Sequence, residues 1–368
     1  MTPTLALGGS ETLTIRYAGG LRDRGHEVEI AYGVKNIQTE ALSRAQLEAV
    51  RLSDRLPTLS SAWEWRSSLR DLIRTFRPDI VHAQSVTSSI LVRSAAPTIP
   101  LLVTMHGIEH TDEAKAALAL RLARARVTAV SDATAEGLGR FPWSPQVELF
   151  SAGVDLAHLR TQSTAETAYN MVGAPRLCCV ARLKPQKGID ILLNALTSIV
   201  KVFPTAGLTL VGEGEELETY RALAGTLGLE DRTLFTGGVS NAAPYMAAAD
   251  VVILSSRWEG LPVVALESLA LERPLVATAV NGTPLVVIDG ETGWLAPPED
   301  PSALADAVVD CLQTAPEEAA RRARNGRQLI EERYSEAAMI DRLEALLLEH
   351  SAPRTRLRRM KPERDGPR

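Results

Sequence analysis

The sequence predicts an α/β protein of two doubly wound, parallel-sheet domains facing each other across a cleft, with the opening strand of the first short or missing. Three observations carry this reading. Short apolar runs of strand character alternate with amphipathic helical stretches along the whole chain. A less patterned segment, 161–175, divides that alternation in two. Glycines, cations and acids fall just after the apolar runs, at the carboxyl ends of strands, where open α/β sheets bind ligands. The 368 residues suffice for domains at 1–160 and 176–335, then a helix at 336–350 that can return to the first domain.

Composition bounds the function. Hydrophobic residues make up 45% and charged residues 23%, the balance of a soluble globular protein. A formal net charge of −5 offers no global field for nucleic acid. Cys178 and Cys179 are adjacent and Cys311 stands alone, so neither a metal-ligand spacing nor a disulfide framework is present. They read as core thiols of a reducing compartment. No apolar run approaches the length of a membrane span and no signal peptide precedes the first motif, so a cytoplasmic location is expected. The tail 351–368 carries seven Lys/Arg against two acids and is expected to be disordered. It could also hold the protein weakly at the inner face of an anionic membrane. The same two readings apply to Lys115, Arg121, Arg124 and Arg126 on a first-domain helix, where a solvated face is the simpler account.

In the first domain Gly8-Gly9-Ser10-Glu11 opens a helix whose apolar stripe is Leu13, Tyr17 and Leu21. A glycine-rich entry normally follows a strand, yet only Met1–Leu7 precede it, and Pro3 would interrupt a central strand. Either the sheet lacks a full first strand or the natural chain begins upstream of Met1, which is the favoured reading. Val28–Tyr32, Asp79–Ala83, Leu101–Met105, Val127–Val130 and Val147–Phe150 read as strands, and Ala62–Phe76 as a helix. From Lys35 to Leu59 the pattern is weak. His82 and His106 both end strands; His82 reads as structural and His106, before Gly107, as facing the cleft. His26 reads as a turn residue.

In the second domain Arg176–Ala181 is a strand, and the loop after it carries Arg182 and Lys187 before a helix at Ile189. Two cations at a strand-to-helix junction suit a pyrophosphate; two solvated surface cations are the alternative. Gly212 and Gly214 follow the strand Leu208–Val211, but Leu217 stands where a dinucleotide fingerprint needs its third glycine. A dehydrogenase reading fails there, and no Walker phosphate loop occurs. Thr233–Thr236, Asp250–Leu254, Leu275–Thr278 and Gly293–Ala296 are the remaining strands, with helices at Ala303–Cys311, Glu317–Glu332 and Glu336–Glu349.

The stretch Ser255–Glu267, SSRWEGLPVVALE, organises the rest. It leaves a buried strand, and Pro262 stands at a helix start. Glu259 therefore lies on the loop and Glu267 inside the helix. Glu259-Gly260-Leu261 would aim backbone N–H groups across the sheet's carboxyl end, an anion and hydroxyl site. If both glutamates were helical, a rise of about 1.5 Å per residue would part them by roughly 12 Å. That is too far for a glycosidase pair, which needs about 5–9.5 Å.

Together these residues resemble the retaining, nucleotide-sugar-dependent glycosyltransferases of the GT-B fold, built of two Rossmann-like domains. The resemblance runs from about Gly8 to Leu347. Its most specific mark is Glu259 and Glu267 with seven residues between them. GGSE at 8–11, RGHEV at 24–28, PDIVHA at 78–83, VTMHG at 103–107 and AVSDAT at 129–134 support it in the first half. ARLKPQKG at 181–188, VGEGEEL at 211–217 and DGETGWLAPPED at 289–300 do so in the second. The resemblance implies that Arg182 and Lys187 hold the donor diphosphate, Glu259 contacts the donor sugar and Glu267 binds the ribose hydroxyls. It places Gly8 and Gly9 in the loop closing on the donor, and His106 near the transferred sugar. The Gly212–Gly214 loop and the turn after Phe235 fall where the base is held. It implies no cofactor, with a glycan, lipid-linked or small molecule as acceptor; no paired-aspartate metal motif stands where one would be needed, so no essential metal is expected. Three departures stand out: Ala152 replaces the family's usual Asn, Leu285 its Glu, and the first strand is short or missing. Two alternatives follow, a non-catalytic nucleotide-sugar-binding protein and a sugar-nucleotide epimerase of the same fold.

Overall fold

The computed structural model describes residues 1–5, 9–36, 39–58, 60–164 and 171–351. Its first half runs β1 (Thr4–Leu5), α1 (Gly9–Asp23), β2 (Ile30–Tyr32), β3 (Val34–Asn36), α2 (Thr39–Arg44), β4 (Ala49–Arg51), α3 (Ala62–Phe76), β5 (Val81–Ala83), α4 (Val86–Ala95), β6 (Leu101–Met105), α5 (Glu113–Leu122), β7 (Arg126–Ala129), α6 (Asp132–Gly139), β8 (Val147–Leu149) and α7 (Leu156–Ser163). The second runs β9 (Arg176–Val180), α8 (Ile189–Val202), β10 (Gly207–Val211), α9 (Leu217–Thr226), β11 (Thr233–Gly237), α10 (Ala243–Ala248), β12 (Val251–Leu254), α11 (Val263–Ala270), β13 (Leu275–Thr278), β14 (Trp294–Ala296), α12 (Pro301–Gln313) and α13 (Pro316–Arg333). A final helix, α14 (Glu336–His350), follows.

The second half is one six-stranded parallel sheet in the order β11-β10-β9-β12-β13-β14. Its strands are apolar on both faces because helices cover both. In the first half β5-β6-β7-β8 form a parallel four-stranded piece, and β1-β3 and β2-β4 are separate parallel pairs. The opening segment joins these pieces. The Met1 amino group donates to the His82 carbonyl at 2.6 Å and Gln84 N–H to the Met1 carbonyl at 3.0 Å. On its other side Thr2 N–H donates to Ala31 and Gly33 N–H to the Pro3 carbonyl. The opening strand is therefore short but present. Pro3 fits because it contributes its carbonyl to this ladder, and the buried Leu5 closes the sheet's centre.

One core crosses between the halves. Leu13, Tyr17 and Leu21 of α1 share it with Leu266 and Leu269 of α11 and with Met339, Ile340 and Leu343 of α14. Helix α14 lies against the first half, where Arg24 pairs with Asp341 and Glu344, and His26 Nε2 stands 2.6 Å from Glu344. Both halves thus present their strand ends to one cleft.

Candidate functional site

The cleft encloses about 1450 Å³ and is lined from both halves. The first half supplies Gly9, Ser10, Arg16, His106 and Gly107; the second supplies Arg182, Lys187, Gly212, Glu259, Leu261 and Glu267. Most sit at a strand's carboxyl end or at the start of the helix just beyond it, whereas Arg16 lies in the middle of α1 and Glu267 within α11. Ala152, one of the departures, also lines it, whereas Leu285 lies in an exposed 3₁₀ turn.

On the second half the loops after β9 and β12 interlock. Gly188 adopts φ 57°, and a Cβ there would stand 2.1 Å from the Ser255 carbonyl. Only glycine serves both demands. The loop delivers Lys187, whose Nζ donates to Glu259 Oε1 at 2.5 Å. Ser256 Oγ donates to the same oxygen at 2.6 Å, and Asn281 Oδ1 accepts from the Glu259 N–H at 3.1 Å. The first expectation for this loop thus needs amending, since the Glu259 N–H is already taken. Pro262 caps α11 without a side-chain hydrogen bond, so the helix start carries no protein anion of its own. Below, Arg257 grips Asp190 with two bonds of 2.8 and 2.7 Å, fixing the β12 loop to α8.

On the first half His106 is set by a buried polar chain. Its Nε2 lies 2.7 Å from Gln84 Oε1, and Gln84 Nε2 lies 3.2 Å from His82 Nε2, which meets Thr104 Oγ1 at 2.7 Å. An amide oxygen only accepts, so His106 carries its hydrogen on Nε2 and keeps a lone pair on Nδ1. Burial lowers the His106 pKa to about 4, with Glu11 opposing, so its ring is neutral near pH 7. Burial likewise drives His82 well below its ordinary value, reinforced by the Met1 amino group and by His106.

Among the described residues α1 makes two ion pairs that bridge the halves. Glu11, in its first turn, accepts from Arg182 and is also held by Ser10 Oγ at 2.7 Å and Thr4 Oγ1 at 3.0 Å. Burial would raise the Glu11 pKa, but Arg182 and Ser10 outweigh it and hold the carboxyl below its ordinary value. Arg16 donates to Glu267 Oε1 at 3.3 Å. Burial raises the Glu267 pKa, and Arg16 offsets this only in part. The backbones meet as well, since a Cβ on Gly260 would lie 1.8 Å from the His106 carbonyl.

Of the residues singled out in the sequence, eight line the cleft together: Gly9, His106, Arg182, Lys187, Gly212, Glu259, Leu261 and Glu267. Gly8 lies outside the described residues. Gly214, Phe235 and Gly260 do not line it. Gly214 is packed under the Leu183 carbonyl, 2.2 Å from where a Cβ would be. Phe235 lies against the second half's own core with Arg221 5.8 Å from its ring, and the turn Gly238–Asn241 reaches the cleft in its place. Gly260 is spent on the contact with His106. The residues missed are Arg16, Gln84 and Asn281, together with the pairing of Glu11. Only Glu11 had a signal, as the acid closing the glycine-rich helix start. Among the described residues no group of three or more His, Cys, Asp and Glu is placed to hold a metal ion.

Two family models cover the two halves. One, described as Glycosyltransferase Family 4, matches residues 7–158; the other, Glycosyl transferases group 1, matches residues 174–314. Each half thus matches a family of glycosyltransferase domains. The chain is 35% identical over 153 residues to a GDP-mannose-dependent alpha-(1-6)-phosphatidylinositol monomannoside mannosyltransferase of Mycolicibacterium smegmatis, covering 39% of this chain and 40% of the relative. It is 33% identical over 183 residues to the alpha-D-kanosaminyltransferase of Streptomyces kanamyceticus, covering 49% and 47%. The chain thus spans less than half the length of these curated relatives. The GT-B architecture itself is shared with Anabaena HepE, solved with UDP and glucose, at TM-score 0.78 and 20% identity over 94% of this chain and 99% of that one. The sucrose-phosphate synthase of Thermosynechococcus elongatus superposes at TM-score 0.78 and 21% identity, covering 95% of each chain.

Proposed function

We propose that the protein is a retaining glycosyltransferase that moves a hexose-type sugar from a nucleotide-diphosphate-sugar to a glycan, lipid-linked or small-molecule acceptor. The observation that carries this is the convergence in one cleft of Arg182, Lys187 and the uncapped start of α11 with Glu259, Glu267 and His106. Breaking the sugar–phosphate bond leaves its electron pair, and so negative charge, on the diphosphate. Arg182, Lys187 and the first N–H groups of α11 stabilise that charge without reorganising, because Glu11 and Glu259 already hold the two cations in place. The sugar becomes oxocarbenium-like, and the acceptor oxygen attacks from the face the phosphate leaves. The departing phosphate takes the acceptor's proton. Neutral His106 accepts a sugar hydroxyl on Nδ1 and adds no charge. Since Arg182 and Lys187 supply the positive charge, the reaction proceeds without an essential divalent metal, and a chelator should leave the rate unchanged.

The mannosyltransferase relative is named for GDP-mannose and HepE was solved with UDP, so both bases enter the test. A thermal-shift panel of UDP, GDP, ADP and their sugars is followed by donor turnover. A ligand at 100 times its dissociation constant should stabilise the fold by about 2.7 kcal/mol. A shift by one nucleotide, with release of that nucleotide from its sugar, supports the reading; no shift from any of them overturns it. Weak residence at the inner face of a membrane belongs to the same proposal. Helix α5 exposes Leu118 and Leu122 beside Lys115 and Arg121, an amphipathic face suited to anionic lipid. Sedimentation with anionic but not neutral vesicles is the check. Among the described residues no helix is long and apolar enough to cross a membrane.

A further inference from the structure

We infer that Arg16 is a positioning residue for donor capture: reaching across the cleft from α1, it holds Glu267 ready to accept the ribose hydroxyls, so the ribose site is complete only when the halves are together. The inference rests on the donor reading of the cleft proposed above.

The geometry is specific. Arg16 Nη2 donates to Glu267 Oε1 at 3.3 Å while Nη1 donates to the Gly153 carbonyl at 3.3 Å, so the guanidinium is anchored at both ends. The two side chains are only 18% and 17% exposed, so little solvent screens the Arg16 charge at Glu267. Thr12, Arg16 and Gly20 line the cleft at helical spacing, so the face of α1 that carries Arg16 is the one turned to the second half.

The surroundings leave Arg16 as the deciding charge. Glu336, at the start of α14, and Asp155, capping α7, line the same cleft. Burial raises the Glu336 pKa, Arg16 lowers it and Asp155 raises it further, so one cation serves two carboxylates. His158 lies in the first turn of α7, its N–H on Asp155 at 3.0 Å. Of the other elements against α11, α10 and β13 bring no charged residue, and Arg327 of α13 is taken by Glu272 and Glu331. An ionised carboxylate can accept two hydroxyls at once, whereas a protonated one spends an oxygen as donor. Burial favours the protonated form of Glu267, and Arg16 is the charge that opposes it.

The test measures affinity for a nucleoside diphosphate, and for its 2′,3′-dideoxy counterpart, against pH in wild type, Arg16→Gln and Arg16→Lys. Wild-type affinity for the ribonucleotide should fall as pH drops through the Glu267 pKa. In Arg16→Gln that acid limb should move up by about one pH unit. Binding at neutral pH should weaken about tenfold, as for loss of a charge-assisted bond. Arg16→Lys should restore most of both, and the dideoxy compound should bind all three proteins alike, with no such limb. Loss that is equal at every pH, or equal for both nucleotides, would make Arg16 a merely structural contact and overturn the inference. Equal wild-type binding of both nucleotides would overturn the ribose role while leaving the donor reading standing. Binding of neither by wild type would remove the donor reading and the inference together.

Discussion

The second half of the molecule builds one six-stranded parallel sheet, whereas the first assembles a four-stranded piece and two strand pairs around the short opening segment. The site chemistry divides the same way. The second half pairs some of its charges internally: Lys187 with Glu259, and Arg257 with Asp190, sit within one domain and are in place whatever the first half does, whereas its Arg182 and Glu267 find their partners on the first half. The first half contributes by reaching over, through Glu11 and Arg16 of α1 and the loop at His106-Gly107. Cations held within a rigid sheet are preorganised; groups that meet partners across a cleft are in register only when it is shut. A donor should therefore be held chiefly by the second half and made reactive by closure of the first.

The largest expected effect tests the preorganised half. Lys187→Ala should cut donor turnover by at least about 100-fold, the scale on which loss of one transition-state charge contact is felt. Circular dichroism should show the fold retained, and wild-type-like turnover would remove the site assignment. Closure is tested by Gly260→Ala, whose new Cβ would lie 1.8 Å from the His106 carbonyl. The halves must part, so turnover should fall further than nucleotide binding, which keeps its second-half contacts and loses only the about tenfold share that Arg16 lends through Glu267. Equal loss of binding would erase the contrast drawn between the halves. Gly188→Ala acts on stability instead, because its Cβ would meet the Ser255 carbonyl in a left-handed backbone. A loss of about 1–3 kcal/mol in denaturant unfolding is expected.

The smallest effect concerns pH. The folded His106 pKa, about 4, lies below the ordinary 6.5, so the unfolded chain binds the proton more readily. The stability this neutral ring contributes is full above about pH 6.5 and is lost as pH falls toward 4. His106→Gln should flatten part of that acid limb in a melting series. His82, shifted the same way, should retain the remainder. Turnover in wild type should show no titration of His106 between pH 6 and 8.

The second half was the more legible in the sequence because its strands are uninterrupted apolar runs between helices of strong period. Leu275–Thr278 matches its expected bounds, as does Leu101–Met105 in the first half. Between Lys35 and Leu59 the elements β3, α2 and β4 are only three to six residues long, too short for periodicity to register. Helix α4, with serines and threonine on its covered and exposed faces alike, offered no amphipathic signal either. The opening strand was hidden for another reason: Pro3 argues against a central strand, and only the partners Ala31, Gly33, His82 and Gln84 show that it is one.

What the sequence determined by itself was the α/β class, the division into two halves and the residues of the strand-to-helix junctions. Gly188, Lys187, Glu259 and Glu267 are tied to loops whose geometry follows from local residue chemistry. What only the tertiary structure decided was pairing. Glu11 meets Arg182 across 171 positions and Arg16 meets Glu267 across 251. No local pattern encodes those contacts, because they arise from closing one domain on another. For the same reason Gln84 became the partner of His106 and Phe235 was left outside the cleft: which side of a strand faces the site is set by what packs against the other side.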